Sequence, residues 1–307
     1  MEQLRRQGKR AERFKRQKNC NMEQILLIGN GLNNLENSDV SWENSLKKLI
    51  DEDKHSVFLK DGKIISSIAY PFLFDLFVDK KNDFFSEVEK IPIPEFAVDF
   101  VNKYNTILTT NFSREFEYSL GKDAWLSDSV KNETKYNLFR KKINNSSNRK
   151  TLWYIHGCIE KNSSVMMGQN HYVEQTSKIV SYLNGKYKLK ETDNVPIEKI
   201  EDRVSNILKP ISWVDYFFMD NVQIDIVGFG FNFAETDLWY LLKRRKELRI
   251  SEKLNNRIFF YCLDEDSDSV RIRDASLKIN EVDVKKYKIN SNKPYKELYR
   301  RILNSVY

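Results

Sequence analysis

Thr151-Leu-Trp-Tyr-Ile-His156-Gly157 reads as a short strand buried on both faces, delivering a histidine to its C-terminal end with a glycine directly behind it. Of the three histidines in the chain, only this one follows an apolar β-type run and precedes a glycine. Open α/β sheets bind ligands just outside the carboxyl ends of their strands. An imidazole placed there can transfer protons near neutral pH, its unperturbed pKa being about 6.5. Taken alone, such a histidine more often merely ends a strand and bonds a nearby carbonyl.

Working outward, the same pattern of a buried run ending in polar or small residues recurs. Gln24-Ile-Leu-Leu-Ile28 runs into Gly29-Asn30-Gly31; Tyr104-Asn-Thr-Ile-Leu-Thr109 ends in Thr110-Asn111; Ile224-Asp-Ile-Val227 ends in Gly228-Phe229-Gly230. Arg257 to Leu263 and Val282 to Ile289 supply two further strands, and Val165-Met-Met-Gly168 is predicted as a short one. Between them the spacing predicts helices from Ser41 (as N-cap), from Pro94 to Tyr104, from Ser113 to Leu120 closed by Gly121, and around Val173 to Leu183. Another is predicted from Glu235-Thr-Asp237 onward, and a closing one from Tyr295 to Val306. Residues 122–150 read as a polar surface excursion, and 184–203 as a lid or loop. His171 reads as a solvated loop histidine.

Strand and helix alternate, which argues for an α/β fold: a Rossmann-like, doubly wound, mostly parallel sheet with helices on both faces. The expected organisation is a basic arm over residues 1–22 and one domain over 23–307, with helical insertions at about 56–103 and 170–215. The net charge of +7 is concentrated in the arm, where the first twenty residues hold eight Lys/Arg and two Glu. Charge in a tail supports only salt-sensitive, non-specific contact with nucleic acid or an acidic partner. No run approaches the roughly 18 apolar residues of a membrane span, and no apolar N-terminal signal is present. Three scattered cysteines, Cys20, Cys158 and Cys262, argue for a reducing cytoplasm and against a four-thiolate zinc site. No His/Asp/Glu cluster has metal-ligand spacing.

Each strand-end motif is short and has a bland reading: a plain turn for the glycines, a first-turn helix residue for Asp237, a helix-start residue for Asn111. Together and in this order, Gly-Asn-Gly, Thr-Thr-Asn, Ile-His-Gly and Gly-Phe-Gly resemble the sirtuin-like NAD-consuming fold. The closer likeness is to the bacterial branch that hydrolyses NAD in anti-phage, abortive-infection defence. It covers roughly residues 24 to 265, with Ser41-Trp42 and Thr236-Asp237-Leu238-Trp239 in support. The resemblance makes Gly29, Asn30 and Gly31 the first phosphate-binding turn and puts Thr110 and Asn111 beside the nicotinamide ribose. It makes His156 the catalytic histidine and sets Gly228 and Gly230 on the adenosine side; Asp237, from its place at a helix start, is a further candidate contact. Two departures stand out. The four-cysteine zinc module of sirtuin deacetylases has no counterpart, which argues against deacetylation. The aspartate that follows the asparagine by two residues is replaced by Ser113.

The expected activity is cleavage of the nicotinamide–ribose bond of NAD, with NAD as substrate and no metal. The alternative is a catalytically silent NAD or ADP-ribose sensor or scaffold. A free NAD hydrolase endangers its own cell, so control by homo-oligomerisation or a regulatory protein partner is expected, with no membrane association.

Overall fold

A computed structural model describes residues 22–35, 59–60, 63–64, 81–89, 93–121, 124–127, 135–144, 149–187, 197–204, 209–231, 233–251 and 254–305. The basic arm, apart from Met22, lies outside the described residues. So do the helix expected from Ser41 and residues 188–196 of the expected lid. The strands are β1 (Glu23–Ile28), β2 (Leu59–Lys60), β3 (Lys63–Ile64), β4 (Thr106–Thr109), β5 (Trp125–Ser127), β6 (Lys141–Asn144), β7 (Lys150–Tyr154), β8 (Val222–Val227), β9 (Arg257–Leu263) and β10 (Asp283–Tyr287). The helices are α1 (Lys81–Glu89), α2 (Glu95–Lys103), α3 (Glu115–Ser119), α4 (Gln169–Leu183), α5 (Ile200–Arg203), α6 (Thr236–Ile250), α7 (Asp268–Ile279) and α8 (Pro294–Ser305).

Eight strands form one sheet in the order β10-β9-β8-β1-β4-β7-β6-β5, while β2 and β3 pair separately. The six strands from β10 to β7 are mutually parallel, and β6 and β5 continue the sheet antiparallel. Counting only the parallel strands along the chain, their spatial order is 3-2-1-4-5-6, that of the doubly wound dinucleotide-binding sheet. The winding reverses between β1 and β8, so the crevice of such a sheet opens there.

The central strand is apolar on both faces because both are covered. Ile25 and Leu27 face a core shared with Trp153, Ile179, Trp213, Ile226 and Leu241. Leu26 and Ile28 face one shared with Phe96, Phe100, Leu152, Tyr154 and Tyr299. These are the two helical layers of an α/β sandwich.

Three expectations need correction. Residues 122–150 are not merely an excursion, since they contain β5 and β6. Lys142 and Asn144 of β6 point inward and are buried, so a polar inward face hid the strand. Val165–Gly168 forms no strand; it leaves a 3-10 turn (Ile159–Ser164) and is tied back by Met166 N–H donating to the His156 carbonyl at 2.9 Å. His171 is no loop residue. It sits in the first turn of α4, where Nδ1 accepts from the N–H groups of Met167 and Gly168, each at 3.2 Å, and Nε2 lies 2.8 Å from Lys135 Nζ.

Candidate functional site

Strand register sets the site. Ile28 pairs with Thr109 and Val227, and Thr109 pairs with Tyr154. The ends of β8, β1, β4 and β7 therefore stand level. Beyond them the ladder runs one step further: Gly29 N–H donates to the Val227 carbonyl, Thr110 N–H to Ile28 and Ile155 N–H to Thr109. Asn111 and His156 leave neighbouring strands at equivalent positions.

At the switch point the two glycine turns pack on each other. Gly31 N–H donates to the Gly228 carbonyl at 2.8 Å. A Cβ on Gly29 would lie 2.7 Å from the Gly228 oxygen, and one on Gly31 2.8 Å from Gly228 Cα. Gly228 itself has φ +61°, the left-handed region that favours glycine. The Tyr299 hydroxyl, from α8, is buried at this crossing without a partner. Asn30 is half-buried at the start of the turn. Gly230 is exposed, and a Cβ there would meet nothing.

Asn111 is 1 % exposed. Its side-chain nitrogen donates to Glu115 Oε1 at 2.7 Å and to the Gly29 carbonyl at 3.3 Å, joining β4 to the first glycine turn. Its main-chain N–H donates to Thr109 Oγ1 at 3.0 Å. Thr110 is also buried, its hydroxyl 3.5 Å from the Ile28 carbonyl. Burial raises the Glu115 carboxyl above the usual carboxylate range, against hydrogen bonds from Ser113 and Asn111 that lower it.

His156 is equally buried, and its Nε2 lies 2.9 Å from Asp237 Oδ2, which the first turn of α6 supplies. Burial alone lowers the imidazole pKa. The Asp237 charge and hydrogen bond, with Glu235 behind them, outweigh it, and the net shift is upward from 6.5. The Tyr172 ring stands edge-on to the imidazole with centroids 5.3 Å apart. Gly157 turns the chain away at φ +97°, where a Cβ would lie 2.2 Å from the Ser164 carbonyl oxygen.

The structure thus gathers Gly29, Gly31 and Gly228 into one cradle, ties Asn111 to it, and pairs His156 with Asp237. Three buried oxygens at these strand and helix ends have no protein partner: Asn111 Oδ1, Glu115 Oε2 and Asp237 Oδ1. Sequence reading missed Glu115, Tyr172 and Tyr299. An asparagine at a strand end with an acid four residues on, at the next helix start, was the available signal for Glu115. A shallow cavity of about 300 Å³, counting solvent at its mouth, lies to the β5 side, lined by Arg140, Lys142, Tyr154, Cys158 and Glu160 among others. Lys142 and Tyr154 there belong to the Glu117 ion-pair network and not to the glycine cradle.

Among the described residues no group of three or more His, Cys, Asp or Glu could hold a metal ion. No described helix is long and apolar enough to cross a membrane. Cys158 and Cys262 are free and buried. A family model described as the SIR2-like domain matches residues 105–279. No curated protein matches the chain.

Proposed function

The chain belongs to the SIR2-like domain family, whose members bind NAD, and from that premise we propose that it is an NAD glycohydrolase. It cleaves the nicotinamide–ribose bond with water, releasing nicotinamide, ADP-ribose and a proton. The observation that carries the reading is the unpartnered buried oxygens of Asn111 and Glu115 beside the glycine cradle, with that of Asp237 at His156. A buried polar atom without a partner costs about 1–3 kcal/mol. Such atoms gathered beside a turn where glycine alone fits, at a topological switch point, mark a place built for a polar ligand.

In this reading the turns at Gly29–Gly31 and Gly228 admit the pyrophosphate close to the backbone. Asn111 holds a ribose hydroxyl or the attacking water as an oxocarbenium-like sugar develops. His156, with Nε2 held by Asp237, uses Nδ1 to take up the proton of that hydroxyl or water. General-base assistance of this kind contributes about 10²–10⁴-fold. The biological role we propose is NAD depletion in anti-phage defence, held in check by assembly or a regulatory partner. It rests on the motif likeness and on the danger of unrestrained NAD loss.

One observation favours a second reading, a silent NAD or ADP-ribose sensor: the Asp237 carboxylate stabilises the imidazolium, which cannot act as a base until it loses its proton. Chromatographic detection of nicotinamide from NAD separates the two. Wild type should release it, with Asn111→Ala and His156→Ala slower by about 10²-fold or more. ADP-ribose binding with no nicotinamide release, at any pH and with any candidate activator, would establish the sensor instead.

A further inference from the structure

An amide nitrogen has two protons to donate and an amide oxygen has none. Asn111 Nδ2 places its protons on Glu115 Oε1 at 2.7 Å and on the Gly29 carbonyl at 3.3 Å, which uses both. Turning the amide over would set Oδ1 against the Gly29 carbonyl oxygen, acceptor facing acceptor, and would keep a bond to Glu115 only through a protonated carboxyl. The orientation is therefore fixed, and Oδ1 is the atom left buried without a partner. Glu115 can hold it there because α3 begins four residues after Asn111, bringing its carboxyl back over the end of β4. Glu115 is itself 3 % exposed.

We infer that Glu115 is a positioning residue that, together with the Gly29 carbonyl, locks Asn111 as a pure hydrogen-bond acceptor, so that the group Asn111 recognises is a donor (a hydroxyl, water or N–H) and never an unprotonated phosphate oxygen or carbonyl. Its identity as a ribose hydroxyl or attacking water rests on the NAD-cleaving reading; the lock itself does not. A neutral carboxyl, or the carboxamide of glutamine, still offers a carbonyl oxygen to Nδ2, whereas alanine or methionine offers none.

The test compares wild type with Glu115→Ala, Glu115→Met and Glu115→Gln in NAD cleavage and in nitrogen-15 NMR of side-chain amides. The Asn111 pair is identified by its absence in Asn111→Asp. Releasing a reacting group from its set geometry costs up to about 10²-fold in rate. The alanine and methionine variants should lose about 10- to 100-fold in kcat with KM held within about threefold, and glutamine should restore kcat. The Asn111 amide protons should be protected from exchange in wild type and Glu115→Gln, and unprotected in the other two. A glutamine variant as slow as alanine, full activity in all three, or equal amide protection throughout would overturn the inference. If wild type leaves NAD intact, the enzymatic reading fails, and amide protection alone decides the role of Glu115. Should the alanine and methionine variants fail to fold, the glutamine variant decides: protected amides with near-wild-type kcat support the lock, and a tenfold loss overturns it.

Discussion

His156 and Asp237 are 81 residues apart in the chain and 2.9 Å apart in space. Their pairing sets the pH at which the imidazole can work. The folded pKa is raised above 6.5 because the Asp237 charge and hydrogen bond, aided by Glu235, outweigh burial. A raised folded value means the pair's contribution to stability is complete below about 6.5 and is lost as pH rises through the folded pKa. Catalysis by the neutral ring runs the opposite way, growing as pH rises through that value. Asp237→Asn removes the cause that raises it and leaves burial, which lowers it. The acid limb of the rate profile should therefore move to lower pH, and the variant should lose more stability in mildly acid than in mildly alkaline solution. A pH–rate profile and denaturant melts on both sides of neutrality measure the two effects. An acid limb unmoved by the substitution would remove His156 from the role of base. Little of this was legible in the sequence: Asp237 reads as a helix-start acid, and only the docking of α6 beside the end of β7 reveals what it faces.

At the scale of elements, β6 is held against α3 by charge. Glu117 is fully buried and accepts from Arg114, from Lys142 at 2.8 Å and from the Tyr154 hydroxyl at 2.7 Å, while Glu160 bridges Lys142 and Arg114 from the solvent side. Burial raises the Glu117 pKa, but hydrogen bonds from Arg114, Lys142 and Tyr154 carry it below 4.5 overall. A depressed folded value contributes stability above about 4.5, lost as pH falls through the folded pKa. Glu117→Leu leaves two nearly buried cations without their carboxylate and should cost about 3–5 kcal/mol in urea unfolding at neutral pH, with a smaller deficit in acid. A cost below about 1 kcal/mol would show that Glu160 alone suffices. The same network explains which strands the sequence disclosed. β1 is apolar on both faces, and β4, β7 and β8 hold enough buried aliphatic and aromatic residues to read as runs. The inward residues of β6 are a lysine and an asparagine, which hydropathy assigns to solvent. Helix α7 escaped notice for a related reason: it buries only Val270, Asp274 and Leu277, too thin a stripe to mark a period.

The whole molecule is organised by the strand order. Alternating runs in the sequence foretold a parallel α/β sheet, and the polar strand ends do leave it along one edge. Spacing could not show that Gly31 hydrogen-bonds Gly228, because that contact depends on β8 returning to the far side of β1. If the cradle there takes the pyrophosphate of ADP-ribose, ligand at about a hundredfold over its Kd should stabilise the fold by about 2.7 kcal/mol. This corresponds to a thermal shift of roughly 5 °C in a chain of this size. Differential scanning fluorimetry with ADP-ribose, beside ribose and inorganic phosphate as controls, measures it; no shift at any ADP-ribose concentration would show that the fold does not bind it. The position of β1 carries one more consequence, for synthesis. It is the first strand of the sheet to leave the ribosome, yet its partner β8 lies about two hundred residues downstream in the register that joins them. Loop closure over such a span is slow. A nascent polypeptide carries Asn111 and His156 long before Gly228 has been translated, so the glycine cradle stays open-sided until β8 and Gly228 have been added. A toxic activity built on that cradle would be withheld from every copy that stops short of Gly228.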